Sequence, residues 1–136
     1  MEKSNFEKLR IYELSEAISD NLWDIATSWD AFARDTIDKQ IVRSADSIGA
    51  NIAEGVGRWG IADQKRFIYI ARGSVNETKH WLRRAYKRNL LSDTQVDSLK
   101  PLLAELAPKL NAYANALSRR QAATKPSTIN DQPSNI

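Results

Sequence analysis

A chain of 136 residues, 42% hydrophobic and 27% charged, is long enough for one domain with its own core. It has no cysteine and one histidine, His80, which excludes a disulfide framework or thiolate metal site and leaves no basis for a His-based metal or Ser-His-Asp site. The net charge of +3 is unevenly spread: residues 1–30 carry seven acids and three bases, whereas residues 64–88 carry eight bases against Glu77, a net +7 that points to an acidic partner for one face.

The N-terminal residues lack an apolar signal core, and no stretch approaches the ~20 apolar residues that span a bilayer. The expected location is therefore the cytoplasm, away from membranes. Ile11, Leu14, Ile18, Leu22, Ile25 and Trp29 then recur at steps of three and four, which predicts a first helix over 5–28. Ser4 or Asn5 is placed to cap it, with Glu2 and Glu7 near the positive end of its dipole.

Ser28 to Phe32 form a short link to a second helix over 34–55, whose stripe is Ile37, Ile41, Ala45, Ile48 and Ile52. Two long helices joined so briefly should lie antiparallel. Ser44, Ala45, Ser47, Gly49, Ala50 and Ala53 make this helix thin, as suits close packing. Gly55 is expected to take the left-handed conformation that stops it, with Gly57 and Gly60 keeping the turn permissive. Asn51, Glu54 and Arg58 cluster at that stop.

The third helix is expected from Ala62 or Asp63, with Asp63 as its cap, to Arg88. At ~100° per residue, Phe67, Ile68, Ala71, Ser74, Val75, Thr78, Trp81, Leu82, Ala85 and Tyr86 fill one half of its circumference. Lys65, Arg66, Arg72, Lys79, Arg83, Arg84, Lys87 and Arg88 fill the other, with His80 among them. Gly73 inside this helix points to close packing against a neighbour.

Asn89 to Ser92 form a turn, and Ser92 or Asp93 starts a fourth helix. Its seam is Val96, Leu99, Leu103, Leu106, Leu110, Tyr113 and Leu117. Pro101 and Pro108 each remove an amide donor, so a kink or break is expected near Lys100 or Ala107. From Ala122 the chain is polar and aperiodic. The expectation is an all-α, antiparallel up-down-up-down four-helix bundle over 1–121, with a disordered tail over 122–136.

A charged arc on a bundle helix is most often a solvated surface. Here like charges at i,i+4 spacing, such as Arg83 and Lys87 or Arg84 and Arg88, repel one another. Solubility does not require that repulsion, so the eight bases are candidate nucleic-acid contacts, with Trp59, Trp81 and Tyr69 available to stack on unpaired bases. Trp81 lies at the edge of the apolar half and reads better as core or interface. Asn51, Glu54, Gly55 and Arg58 read better as a structural turn or subunit contact than as a catalytic group, because no second carboxylate stands at a useful spacing. Gly55-Val56-Gly57 lacks the lysine and strand of a phosphate loop, and His80 is expected to face solvent. No catalytic residue, metal or cofactor is expected.

Arg43 to Ile48, Asn51 to Arg58, and Ile70 to Glu77 resemble the corresponding stretches of the four-helix-bundle family of 23S rRNA intervening-sequence proteins. Phe6 to Leu9 leading into Tyr12 is similar to that family's opening, and the resemblance spans roughly 5–118. Departures are Gly49, where many relatives have proline, and Thr78-Lys79, where an apolar residue is usual. The resemblance implies a bacterial bundle that assembles into a ring-like homopentamer. It extends to the accessory variability determinant proteins of diversity-generating retroelements, basic pentamers that bind nucleic acid and a reverse transcriptase. Two functions follow as expectations: a non-enzymatic accessory or scaffold that binds RNA or DNA through the third helix, or a module that docks a protein such as a reverse transcriptase with no nucleic-acid role of its own.

Overall fold

Every regular element among residues 5–124, the part of the chain that the computed structural model describes, is helical. A 3-10 turn at Phe6–Lys8 comes first, then Leu9 is extended (ψ 136°), and α1 runs over Arg10–Ala26. The expected helix over 5–28 is thus interrupted at Leu9, whose side chain packs on the core. Asn5 makes no side-chain cap bond, and Ser4 and Glu2 lie outside the described residues.

The second helix starts earlier than expected because Asp30 caps it, its carboxylate accepting the Ala33 N–H at 2.9 Å. It is built of α2 (Ala31–Ala33), a π-helical turn (Arg34–Asp38) and α3 (Lys39–Val56). Ala33, Ile37, Ile41 and Ala45 are all buried although each step is four residues. In a regular helix such steps drift by ~40° each; the wider π turn absorbs part of that drift.

Gly55 does not take a left-handed conformation; no described glycine has positive φ, and α3 closes two residues later on Gly57 (φ −81°). Gly55 is instead buried where α3 meets α4 (Ile61–Lys87), and a Cβ there would stand 3.0 Å from Phe67 Cβ and 3.2 Å from the Gln64 carbonyl. Close approach, not turning, is what requires glycine. The left-handed residue is Asn89 (φ 61°), beyond the C-terminus of α4. There Leu90 N–H donates to Ala85 O and Asn89 N–H to Tyr86 O, closing the helix end.

Asp63 does not cap α4, which starts at Ile61 behind Gly60 with no side-chain cap. Gly73 corrects a second expectation: it is exposed, and a Cβ there meets nothing within 4 Å. α5 (Asp93–Thr124) opens with a reciprocal pair, Gln95 N–H to Ser92 Oγ and Ser92 N–H to Gln95 Oε1. It passes Pro101 and Pro108 without a break. Both prolines are exposed, as are Asp97 and Ala104 four residues before them, so the carbonyls left without donors face water while the leucine seam stays on the core. The helix also continues past 121, and the rest of the expected tail, 125–136, lies outside the described residues.

α3 packs on α1 and α4, and α5 packs on the same two helices. Side-chain pairs mark the registers: Arg10 with Glu105 and Asn21 with Ser98 join α1 to α5. Ser44 with Thr78 (3.1 Å) and Ser47 with Ser74 (2.6 Å) join α3 to α4, a hydroxyl seam that small residues allow to close. Lys65 with Gln121 and Arg72 with Asn111 join α4 to α5. In each pair sequence numbers rise on one helix as they fall on the other. Trp29 Nε1 donates to Leu90 O at 2.9 Å, tying the first link to the last.

Candidate nucleic-acid interface

Burial of Ile68, Ala71, Ser74, Val75, Thr78 and Ala85 fixes the rotation of α4. The remaining arc must face outward, and it carries the eight bases. Arg66, Arg72, Lys79, Arg83, Lys87 and Arg88 are exposed; Lys65 and Arg84 are half-buried. Among the described residues only Arg66 pairs with a carboxylate, Asp63, at 3.0 Å. Lys65 and Arg72 donate to the neutral side-chain amides of Gln121 (2.9 Å) and Asn111 (3.0 Å), which orient the charges without cancelling them. Lys79, Arg83, Arg84, Lys87 and Arg88 have neither a side-chain hydrogen bond nor an ion pair among the described residues.

Glu77, the one acid within 64–88, is drawn aside. Its carboxylate pairs with Arg43 of α3 and accepts the Trp81 indole N–H at 3.1 Å. Trp81 is accordingly half-buried against the core, while His80 beside it is exposed. Sequence reasoning missed one base of the face: Lys100 of α5 joins Lys79 and Arg83 along a groove of about 750 Å³ between α4 and α5, whose lining also holds Asp93 and Asp97 beside Leu82, Val96, Leu99 and Leu103. Nothing in the periodicity of α4 could have signalled it.

Tyr86 corrects the apolar assignment. It is 46% exposed, and its hydroxyl donates to Asp93 at 2.9 Å. That hydrogen bond to a carboxylate holds the phenol pKa above its ordinary value. Tyr69 sits within the basic arc, 41% exposed, with the Arg72 guanidinium 4.8 Å from its ring centroid. Trp59, in the turn before α4, is fully exposed.

The polar cluster at the α3–α4 turn is largely paired within itself, although Arg58 Nε is buried without a hydrogen-bond partner among the described residues. Asn51 donates to Ser47 O at 2.8 Å. Arg58 pairs with Glu54 at 2.6 Å and lies 3.6 Å from Asp63 and 4.6 Å from the Phe67 ring centroid. Gln64 Nε2 donates to Arg58 O at 2.8 Å. Among the described residues no group of three or more His, Cys, Asp or Glu is placed to hold a metal ion, and no helix is long and apolar enough to cross a membrane.

Seven of the eight bases on this face thus have no carboxylate within ion-pair distance among the described residues, and a surface of such charge concentrates anions nearby. Among solved structures the chain is similar to a protein of unknown function from the S23 ribosomal protein family of Bacteroides thetaiotaomicron VPI-5482. Identity is 25%, the TM-score is 0.68, and the match covers 76% of this chain and 97% of that one. No curated protein matches. The sequence model of the 23S rRNA-intervening sequence proteins matches residues 7–112. The chain belongs to the 23S rRNA-intervening sequence protein family.

Proposed function

We propose that this protein is a non-enzymatic, cytoplasmic accessory or scaffold that binds RNA or DNA through the outer face of α4. Its helices form an antiparallel up-down-up-down bundle that assembles into a homopentamer. The residue pairs between neighbouring helices support the bundle, and the family resemblance supports the pentamer. The observation that carries the binding reading is charge accounting: seven of the eight bases of α4 and its C-cap Arg88 lack a carboxylate partner among the described residues. Each exposed cation on this face repels its neighbours, and a polyanion removes that repulsion.

The test is retention of labelled RNA at low salt by the wild-type protein and by the combined Arg83→Glu, Arg84→Glu, Lys87→Glu, Arg88→Glu variant. Wild-type retention should fall steeply with salt, with a log–log slope of about −0.7 to −0.9 per phosphate neutralised, and the variant should retain nothing. A wild-type protein that retains no nucleic acid would end this reading. A monomer mass in light scattering would end the pentamer.

The α4–α5 groove favours a second reading, docking of a protein partner such as a reverse transcriptase without any nucleic-acid role. Its apolar lining is the kind that seats partner side chains. Co-purification of such a partner that survives nuclease and high salt would favour it.

A further inference from the structure

Charge alone explains phosphate contacts but not why an aromatic ring is held open among the cations. Tyr69 is 41% exposed, its neighbour Ile70 is 40% exposed, and the Tyr69 hydroxyl has no hydrogen-bond partner among the described residues. Tyr86, by contrast, is tied by its hydroxyl to Asp93. One face of the Tyr69 ring is covered by the Arg72 guanidinium at 4.8 Å, and Arg72 is itself held by Asn111 Oδ1 at 3.0 Å. The ring is therefore positioned before any ligand arrives, which lowers the ordering cost of binding. A shallow, mainly apolar cleft lies beside it, shared by Ala62, Lys65, Arg66, Tyr69 and Ile70.

We infer that Tyr69, braced by Arg72, is a stacking platform for an unpaired base, so that the α4 face takes single-stranded nucleic acid ahead of duplex. This rests on the reading of α4 as a polyanion-binding face and narrows it. Lys65 and Arg66 precede the ring by about one helical turn and Arg72 follows by about one turn, ~5 Å along the axis on either side. A strand lying along α4 meets cations for its phosphates on both sides of one aromatic surface. A duplex offers only its phosphates, because its bases are already stacked on each other. Arg72 then contributes twice, as a cation facing phosphate and as the backing of the ring.

The test uses the full chain and fluorescence anisotropy with three labelled probes of equal length: a uridine homopolymer, a deoxyuridine homopolymer and a mixed-sequence duplex. Both single strands should bind more tightly than the duplex, and the tighter of the two identifies the preferred sugar. Tyr69→Ala should weaken single-strand binding roughly tenfold, leave duplex binding unchanged, and leave the salt slope unchanged because no phosphate contact is lost. Tyr69→Phe should keep single-strand affinity. Duplex binding as tight as either single strand, or an unaltered single-strand affinity in Tyr69→Ala, would overturn the inference while the broader reading stands. Binding of none of the three probes would overturn both.

Discussion

The α3–α4 turn and the outer face of α4 both gather polar and charged side chains within a few residues, yet they partner them in opposite ways. At the turn, Arg58 meets Glu54, Asp63 and the Phe67 ring, and Asn51 bonds back to its own helix. Along the α4 face, Lys79, Arg83, Arg84, Lys87 and Arg88 make no ion pair among the described residues, and the nearby acid Glu77 is taken up by Arg43. Charges satisfied at home hold a structure together. Charges left without partners are available to something else.

The largest expected effect is on the open side of this contrast. Reversing Lys79, Arg83 and Lys87 to Glu should lessen the log–log salt slope of nucleic-acid binding by about 2–3 and leave the melting temperature nearly unchanged, since no native partner is lost. A large fall in melting temperature would show that these charges have a structural role after all.

At the turn the expectation is inverted. Gly55→Val forces a side chain against Phe67 and the Gln64 carbonyl and should cost about 1–3 kcal/mol in urea denaturation, with an unaltered salt slope once folded. Arg58→Ala removes two exposed ion pairs and the approach to Phe67. It should cost about 1–2 kcal/mol by the same measurement, again without changing nucleic-acid affinity.

A smaller effect of opposite sign belongs to the outer face. Gly73→Ala meets open space and should stabilise the protein by about 0.5–1 kcal/mol in thermal unfolding. The smallest effect concerns a paired surface charge remote from both regions. The Arg10 guanidinium, bonded to Glu105 at 2.8 Å and 2.9 Å, holds that carboxyl below the usual carboxylate range. A depressed folded pKa gives stability that is present above the unfolded value and lost as pH falls through the folded one. Glu105→Gln should therefore flatten the acid limb of a stability–pH curve slightly and leave the neutral limb unchanged in shape.

Much of this architecture was legible in the residues. The stripes of α1, α3 and the α5 seam follow from steps of three and four, and most of the buried residues of these helices lie on them. The two prolines read as a kink or break, and the leucine seam that runs through both is what α5 keeps as one helix. The basic arc of α4 was legible as well, since it is whatever the apolar half leaves outside.

Other features were not legible, and each depends on a distant element. Gly55 reads locally as a stop, but α4 comes close enough there to exclude a Cβ. Tyr86 reads as core, but its hydroxyl finds Asp93 across the α4–α5 turn. Gly73 reads as a packing contact, but the rotation of α4 turns it to solvent.

The sequence by itself determined the helices, their buried stripes and the sign of the α4 face, because helical periodicity is a property of residues three and four apart. Only the tertiary structure decided which distant partner each of several charged side chains meets. Arg43 reaches Glu77 across 34 residues, Arg72 reaches Asn111 across 39, and Lys65 reaches Gln121 across 56. Pairings at that separation are set by which helices lie side by side, and no local pattern records them.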